Sequence, residues 1–197
     1  MRWRELLQQG YADIAGQQYD LTHLIGGLIS LTIPASGKYP EIVATMSVEY
    51  MSHCVSYGPA DDGPPLDFEQ LGHARRVLDH RNIERAFCFD RHRWSLQLPG
   101  IVGRLEAYTC YFTGRENWMV MELIDDQGQK VEYEVFFRLR RGAEANTLRL
   151  VIESAYVRNP DRGGPGIPRS RRGKIRFAVM AAKTLRGEPI RDPGRNR

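Results

Sequence analysis

Arg91-His92-Arg93-Trp94 sets one imidazole between two guanidiniums and beside an indole. Like charges on both sides disfavour the imidazolium, so His92 reads as a neutral group able to act as base or acid. Arg91 and Arg93 carry the planar fork that holds a phosphate, and Trp94 offers a face on which a base can stack. The plainer alternative makes His92 a surface turn residue and Trp94 a core anchor. A second set comes from strand alternation, which puts Arg138 and Arg140 on the face of Glu132, Glu134 and Phe136. On the next strand Ser154 and Tyr156 continue the face of Leu150 and Ile152, with Arg158 just beyond. Tyrosine and arginine meeting at a strand end would orient a ribose hydroxyl and stabilise the charge of a phosphorane, and that chemistry needs no metal. The competing reading is a solvated sheet edge laced with Glu–Arg pairs.

Two further sets are weaker or purely electrostatic. His53, Cys54, Cys88 and His92 have the residue types of a zinc site. Adjacent strand residues point to opposite faces, however, and Arg91 and Arg93 oppose a cation, so neither a metal nor a cofactor is expected. Free cysteines also serve commonly as small buried hydrophobes. The last forty residues hold 12 basic and 3 acidic side chains, net +9, whereas residues 1–80 hold 5 and 10, net −5. Within that block Arg169, Arg171, Arg172, Lys174 and Arg176 form a basic run whose phosphate contacts would add salt-dependent affinity for nucleic acid. A tail folded back on the acidic N-terminal block is the alternative.

The elements that must position these groups follow from periodicity. Residues 2–16 read as a helix, with Trp3, Leu6, Leu7, Tyr11 and Ile14 at spacings of three and four. Residues 24–33 and 42–57 read as strands, 66–80 as a helix and 87–89 as a short strand. Ser95 is expected to cap a helix over 96–108, with Pro99 tolerated in its first turn. Three alternating segments between 117 and 157, separated by short turns, predict an antiparallel meander. Residues 159–173 have loop composition, and 174–186 reads as a strand led by Ile175, Phe177 and Val179 or as an Ala-rich helix.

The block 81–158 resembles the small bacterial toxin ribonucleases of the RelE and BrnT kind. The resemblance lies in a short strand entering Arg91-His92-Arg93, a helix, and a meander whose last strand ends in Ser154, Tyr156 and Arg158. It implies RNA cleavage without metal on a basic and aromatic sheet face, with His92, Arg93, Arg138, Tyr156 and Arg158 as the active groups.

The chain is therefore expected to be α+β. A mainly antiparallel sheet of about five to seven strands carries two or three packed helices and a basic C-terminal extension. Residues 1–157 form one domain on this reading, and 158–197 the extension, with a short ordered element at about 174–186. The 42% apolar content suffices for a core. No stretch has the length of a membrane span, no secretory signal is evident, and three widely spaced cysteines do not suggest a disulfide framework. Phosphate-binding glycine loops, HExxH and GxSxG are all absent. The expected function is that of a cytoplasmic bacterial or phage protein binding nucleic acid, RNA before DNA, or an acidic protein surface, without catalysis. The alternative is a metal-independent endoribonuclease of toxin type, using His92, Arg138, Tyr156 and Arg158. The oligomeric state is left open.

Overall fold

A computed structural model describes residues 1–59, 63–113, 118–157 and 173–192, apart from the side chains of 119 and 122–126. Arg158, Arg169, Arg171 and Arg172 lie outside the described residues. Those that are described form five α-helices and twelve strands.

The meander appears where alternation places it: β9 (Trp118–Asp126), β10 (Gln129–Arg141) and β11 (Thr147–Val157), each antiparallel to the next. It is the centre of a seven-stranded sheet. On one flank β9 pairs with β8 (Thr109–Phe112), which pairs with β12 (Lys174–Arg176). On the other, β11 runs parallel to β4 (Ile42–Tyr50), which pairs with β3 (Gly27–Ile33). Two smaller sheets stand beside it. One is the hairpin of β1 (Tyr11–Ile14) and β2 (Gln17–Asp20). The other sets β7 (Glu84–Phe87) between β5 (Ser56–Tyr57) and β6 (Arg76–Leu78).

One face of the large sheet carries the core. Tyr133, Val135, Phe137 and Leu139 of β10 are buried in a cluster shared with Leu148, Leu150, Ile152 and Ala155 of β11. The 174–186 segment turns out to be both of its alternatives in succession. Three residues join the sheet as β12, and Phe177 then opens α5 (Phe177–Arg186), which ends at Gly187 in the left-handed region, φ 68°. Phe177, Met180, Ala181 and Leu185 lie in the same core cluster, with Phe177 against Phe137 at 5.9 Å between ring centroids.

The helices are shorter than periodicity suggests, and each early stop has a visible cause. The first, α1 (Trp3–Gln9), stops at Gly10, φ 82°. Ala15 and Gly16, both with positive φ, then close the β1–β2 hairpin. Ala12 and Ile14 are buried at strand spacing, and Tyr11 and Ile14 happen to fit a helical spacing as well. In the 66–80 region Asp67 caps α2 (Phe68–Leu71) through Glu69 N and Gln70 N, and Gly72 ends it at φ 89°. The chain then becomes β6. Helix α3 (Phe89–Ser95) comes first, and the helix expected at 96–108 shrinks to α4 (Leu98–Val102) and a 3-10 turn over Leu105–Ala107. Ser95 ends the first rather than capping a second, because its Oγ donates to His92 O at 2.7 Å.

If α5 belongs to the core, Phe177→Ala should cost about 3–5 kcal/mol in denaturant unfolding. Val179→Ala, at an exposed position of the same helix, should change stability by less than about 0.5 kcal/mol. Equal effects would show that α5 does not pack as described.

Candidate functional site

The densest group of perturbed ionisable side chains lies at the edge of β11, beyond the last pairing of β4 at Tyr50–Ile152. Here a one-turn 3-10 helix over Ser52–Cys54 leads into β5, and β5 pairs with β7 through Ser56–Phe87. The carbonyl of Ser56 accepts from two guanidiniums, Arg91 Nη1 at 2.7 Å and Arg85 Nη2 at 3.3 Å. Arg85 Nε also donates to Ser56 Oγ at 3.0 Å, and that hydroxyl donates to Ser52 O at 2.7 Å. Arg91 Nη1 bonds the carbonyl of His53 as well, at 2.9 Å, and its guanidinium lies 4.8 Å from the centroid of Tyr156. Arg85 is half-buried, and among the described residues its acceptors are the two neutral oxygens of Ser56. Burial and the neighbouring Arg91 lower its pKa to about 10. Gly58 sits over it, and a Cβ there would come within 3.1 Å of Arg85 Nη1.

His53 borders this pair. Its Nε2 faces Asp79 Oδ2 at 3.6 Å, an ion-pair separation just beyond hydrogen-bond reach. Asp79 is 6% exposed, and its Oδ1 is fixed by Arg81 N at 2.8 Å and Ile83 N at 2.9 Å. Those backbone bonds and His53 hold its carboxyl below the ordinary range against the opposing effect of burial. Burial foremost, then Arg85, push His53 down to about 4, and Asp79 only partly offsets them. The imidazole is therefore neutral at pH 7. Burial also pushes the adjacent Cys54 thiol up to about 12 and raises the phenol of the fully buried Tyr133. Neither is a nucleophile in this setting.

The groups singled out by sequence are dispersed around this cluster. His92 faces the hairpin: its Nε2 donates to Asp20 O at 2.7 Å, and its ring lies among those of Tyr19, His23 and Phe87. His23 Nε2 lies 2.7 Å from Ser95 Oγ. Because that hydroxyl is already donating to His92 O, His23 must supply the proton, leaving its buried Nδ1 without a partner. Trp94 is 8% exposed and lies against Tyr133 in the core, while Arg93 covers its ring at 4.6 Å.

Arg138 Nε pairs with Glu153 Oε1 at 2.7 Å. It pairs in register with Val151, and Tyr156 pairs with Glu134. Five residues along β11 therefore separate Arg138 from Tyr156, roughly 16 Å. The expected convergence of His92, Arg138 and Tyr156 is not formed, and Arg91 meets Tyr156 instead.

Alternation in β11 breaks at a single residue. Phe136 pairs with Ser154 and Phe137 with Ile152, so Glu153 is bulged out of the ladder. Leu150 and Ile152 face the core, whereas Ser154 and Tyr156 face the other way, where Tyr156 stacks on Phe136 at 5.5 Å. Lys174 and Arg176 are exposed on β12, with Lys174 paired to Tyr111 and its Nζ 5.7 Å from that ring. Cys54 is buried with its thiol on Ile152 O at 3.8 Å, and among the described residues no three His, Cys, Asp or Glu side chains gather as metal ligands.

Sequence reasoning missed Asp79 and Arg85 and considered His53 only as a ligand. One usable signal was present: Asp79 followed by Asn82 reads as a side-chain-stabilised turn. Nothing local says that this turn faces residue 53.

The sequence profile of one family matches residues 11–185. The chain belongs to the YjaZ family. That match spans nearly all of the described fold and replaces the toxin-ribonuclease resemblance, which rested on element order over 81–158. The helix at 96–108 that carried part of that resemblance is also reduced to α4 and a 3-10 turn. No curated protein and no solved structure shows significant similarity to the chain. Among the described residues no helix is long and apolar enough to cross a membrane.

The depressed His53 has a consequence for stability. A base whose folded pKa lies below its unfolded value favours folding above the unfolded value and loses that contribution as pH falls. Stability should therefore decline between pH 6.5 and about 4, by on the order of 1–2 kcal/mol after allowing for the solvent contact of the ring. His53→Gln should flatten that slope in pH-dependent melts without removing it, because His23 is shifted the same way by burial. An unchanged slope would mean that His53 is not held neutral by the fold.

Proposed function

We propose that this protein binds single-stranded nucleic acid, RNA in preference to DNA, with a phosphate seated at Arg85 and Arg91. The observation that carries the reading is the sharing of the Ser56 carbonyl by these two guanidiniums. Packing two cations on one neutral oxygen concentrates positive potential, and a phosphate is the anion whose geometry matches such forks. Half-buried Tyr156 beneath Arg91 and Tyr111 beneath Lys174 add aromatic faces beside cations, the pairing used by surfaces that bind single strands. RNA is favoured because a 2′-hydroxyl gives His53 and Tyr156 an additional partner.

Arg176 and the basic residues of the C-terminal segment, Arg158, Arg169, Arg171 and Arg172 among them, extend the positive charge by sequence. Arg91, Arg93, Lys174 and Arg176 keep their sequence-based role as phosphate contacts in this proposal. A cytoplasmic setting fits the three free cysteines.

Anisotropy of a labelled single-stranded RNA should show an association constant that falls steeply with salt, by about 0.7 in the log–log slope per phosphate engaged. The pair Lys174→Glu and Arg176→Glu should reduce that slope by about 1–2. Arg85→Gln should weaken binding about tenfold, or about 1.4 kcal/mol. No binding at low salt, or binding indifferent to these changes, would overturn the proposal and turn attention to an acidic protein surface.

A further inference from the structure

We infer that the site cleaves the RNA it holds, with His53 as general base and Asp79 as its positioning residue. This inference rests on the proposed binding of RNA at Arg85 and Arg91. The geometry is that of an oriented base. Asp79 is locked by two backbone N–H groups and turns its second oxygen toward His53 Nε2. Asp79 therefore favours the tautomer with the proton on Nε2 and leaves the lone pair on Nδ1. Among the described residues Nδ1 has no hydrogen-bond partner, which leaves it as the nitrogen for a ligand to meet. The side chain as a whole is 34% exposed.

The charged groups that face His53 are Asp79 from the turn after β6, Arg85 from β7 and Arg91 from α3. Two cations beside a neutral imidazole keep it unprotonated until it acts. The nearby carboxylate stabilises the imidazolium that acting creates. The 3.6 Å separation is of the loose kind that free enzymes show before substrate tightens the contact.

The reaction that such a base performs beside a phosphate seat is internal transesterification. His53 Nδ1 takes the proton of the 2′-hydroxyl. The 2′-oxygen then attacks the adjacent phosphorus, and the bond from phosphorus to the 5′-oxygen breaks. The departing oxygen takes a proton from water, and His53 returns its own to solvent. The products are a 2′,3′-cyclic phosphate and a 5′-hydroxyl end, with no redox change and no co-reactant beyond water. Arg85 and Arg91 stabilise the charge that builds on the non-bridging oxygens.

The test uses the full chain in EDTA with a labelled single-stranded RNA and its all-deoxy counterpart. The RNA should be cut to 2′,3′-cyclic phosphate ends and the deoxy strand should stay intact. At saturating RNA, where any loss of affinity no longer limits the rate, His53→Gln should cleave at least about a hundredfold more slowly than the wild type. Asp79→Asn preserves an acceptor for the turn and supplies a second variant should the first fail to fold. It should also lower the cleavage rate. In the wild type the rate should fall on the acid side as His53 becomes protonated. RNA bound but uncut would overturn this inference and leave the binding proposal standing, whereas no binding would overturn both. Cleavage at equal rates in wild type and His53→Gln, or at a rate flat across the acid range, would exclude His53 as the base.

Discussion

Glu153 is one residue more than β10 can match, and much of the molecule's layout follows from that mismatch. Before it, Leu148, Leu150 and Ile152 supply the core and share a parallel ladder with β4. After it, β4 has ended, and β11 shows the opposite face with Ser154 and Tyr156. A bulge bends its strand and reverses the sense of alternation, so one strand can pair with β4 in its first half and turn Ser154 and Tyr156 away from the core in its second. The 3-10 turn at Ser52–Cys54 and α3 pack against β11. The polar cluster exists because the sheet has run out of partners there.

Neutral oxygens of Ser56 hold Arg85 in the cluster. A half-buried guanidinium loses hydration, and the two oxygens of Ser56 replace only part of it for Arg85. Arg91 crowds it further, which is why even an arginine is shifted downward. His53 answers the same field by remaining neutral. Natural sites tolerate such arrangements where an anion completes them, and they are costly where none does. By contrast, the outer pairs Arg149–Glu49 and Arg138–Glu153 have carboxylates to hand and present little charge to a ligand.

A second polar seam joins the β1–β2 hairpin to α3. Ser95, buried at the end of α3, donates a hydrogen bond to His92 O and accepts one from His23, while His92 donates to Asp20 O. Every bond in this relay is short, and the two made by ring nitrogens fix the tautomers of His23 and His92. The imidazole with which the sequence reading began is therefore a strut between elements, and the histidine set against a carboxylate is another one.

By itself the sequence determined what depends on local alternation and on composition. The meander of β9, β10 and β11, the α+β class and the basic C-terminal block were legible because each is written in contiguous residues. The helix boundaries were not. Ala12 and Ile14 satisfy two periods at once, and only glycines with positive φ at 10, 16 and 72 decide where the chain turns. The site was less legible still. Asp79, Arg85 and His53 are brought together by β7 lying between β5 and β6, a pairing with no local signature. Tyr156 was assigned to the wrong face because one bulged residue inverts every position after it, and a bulge is settled by the register of the neighbouring strand. Tertiary structure decided which histidine faces a carboxylate and which faces a carbonyl, since both are surrounded by similar residue types and differ only in what the fold sets opposite them.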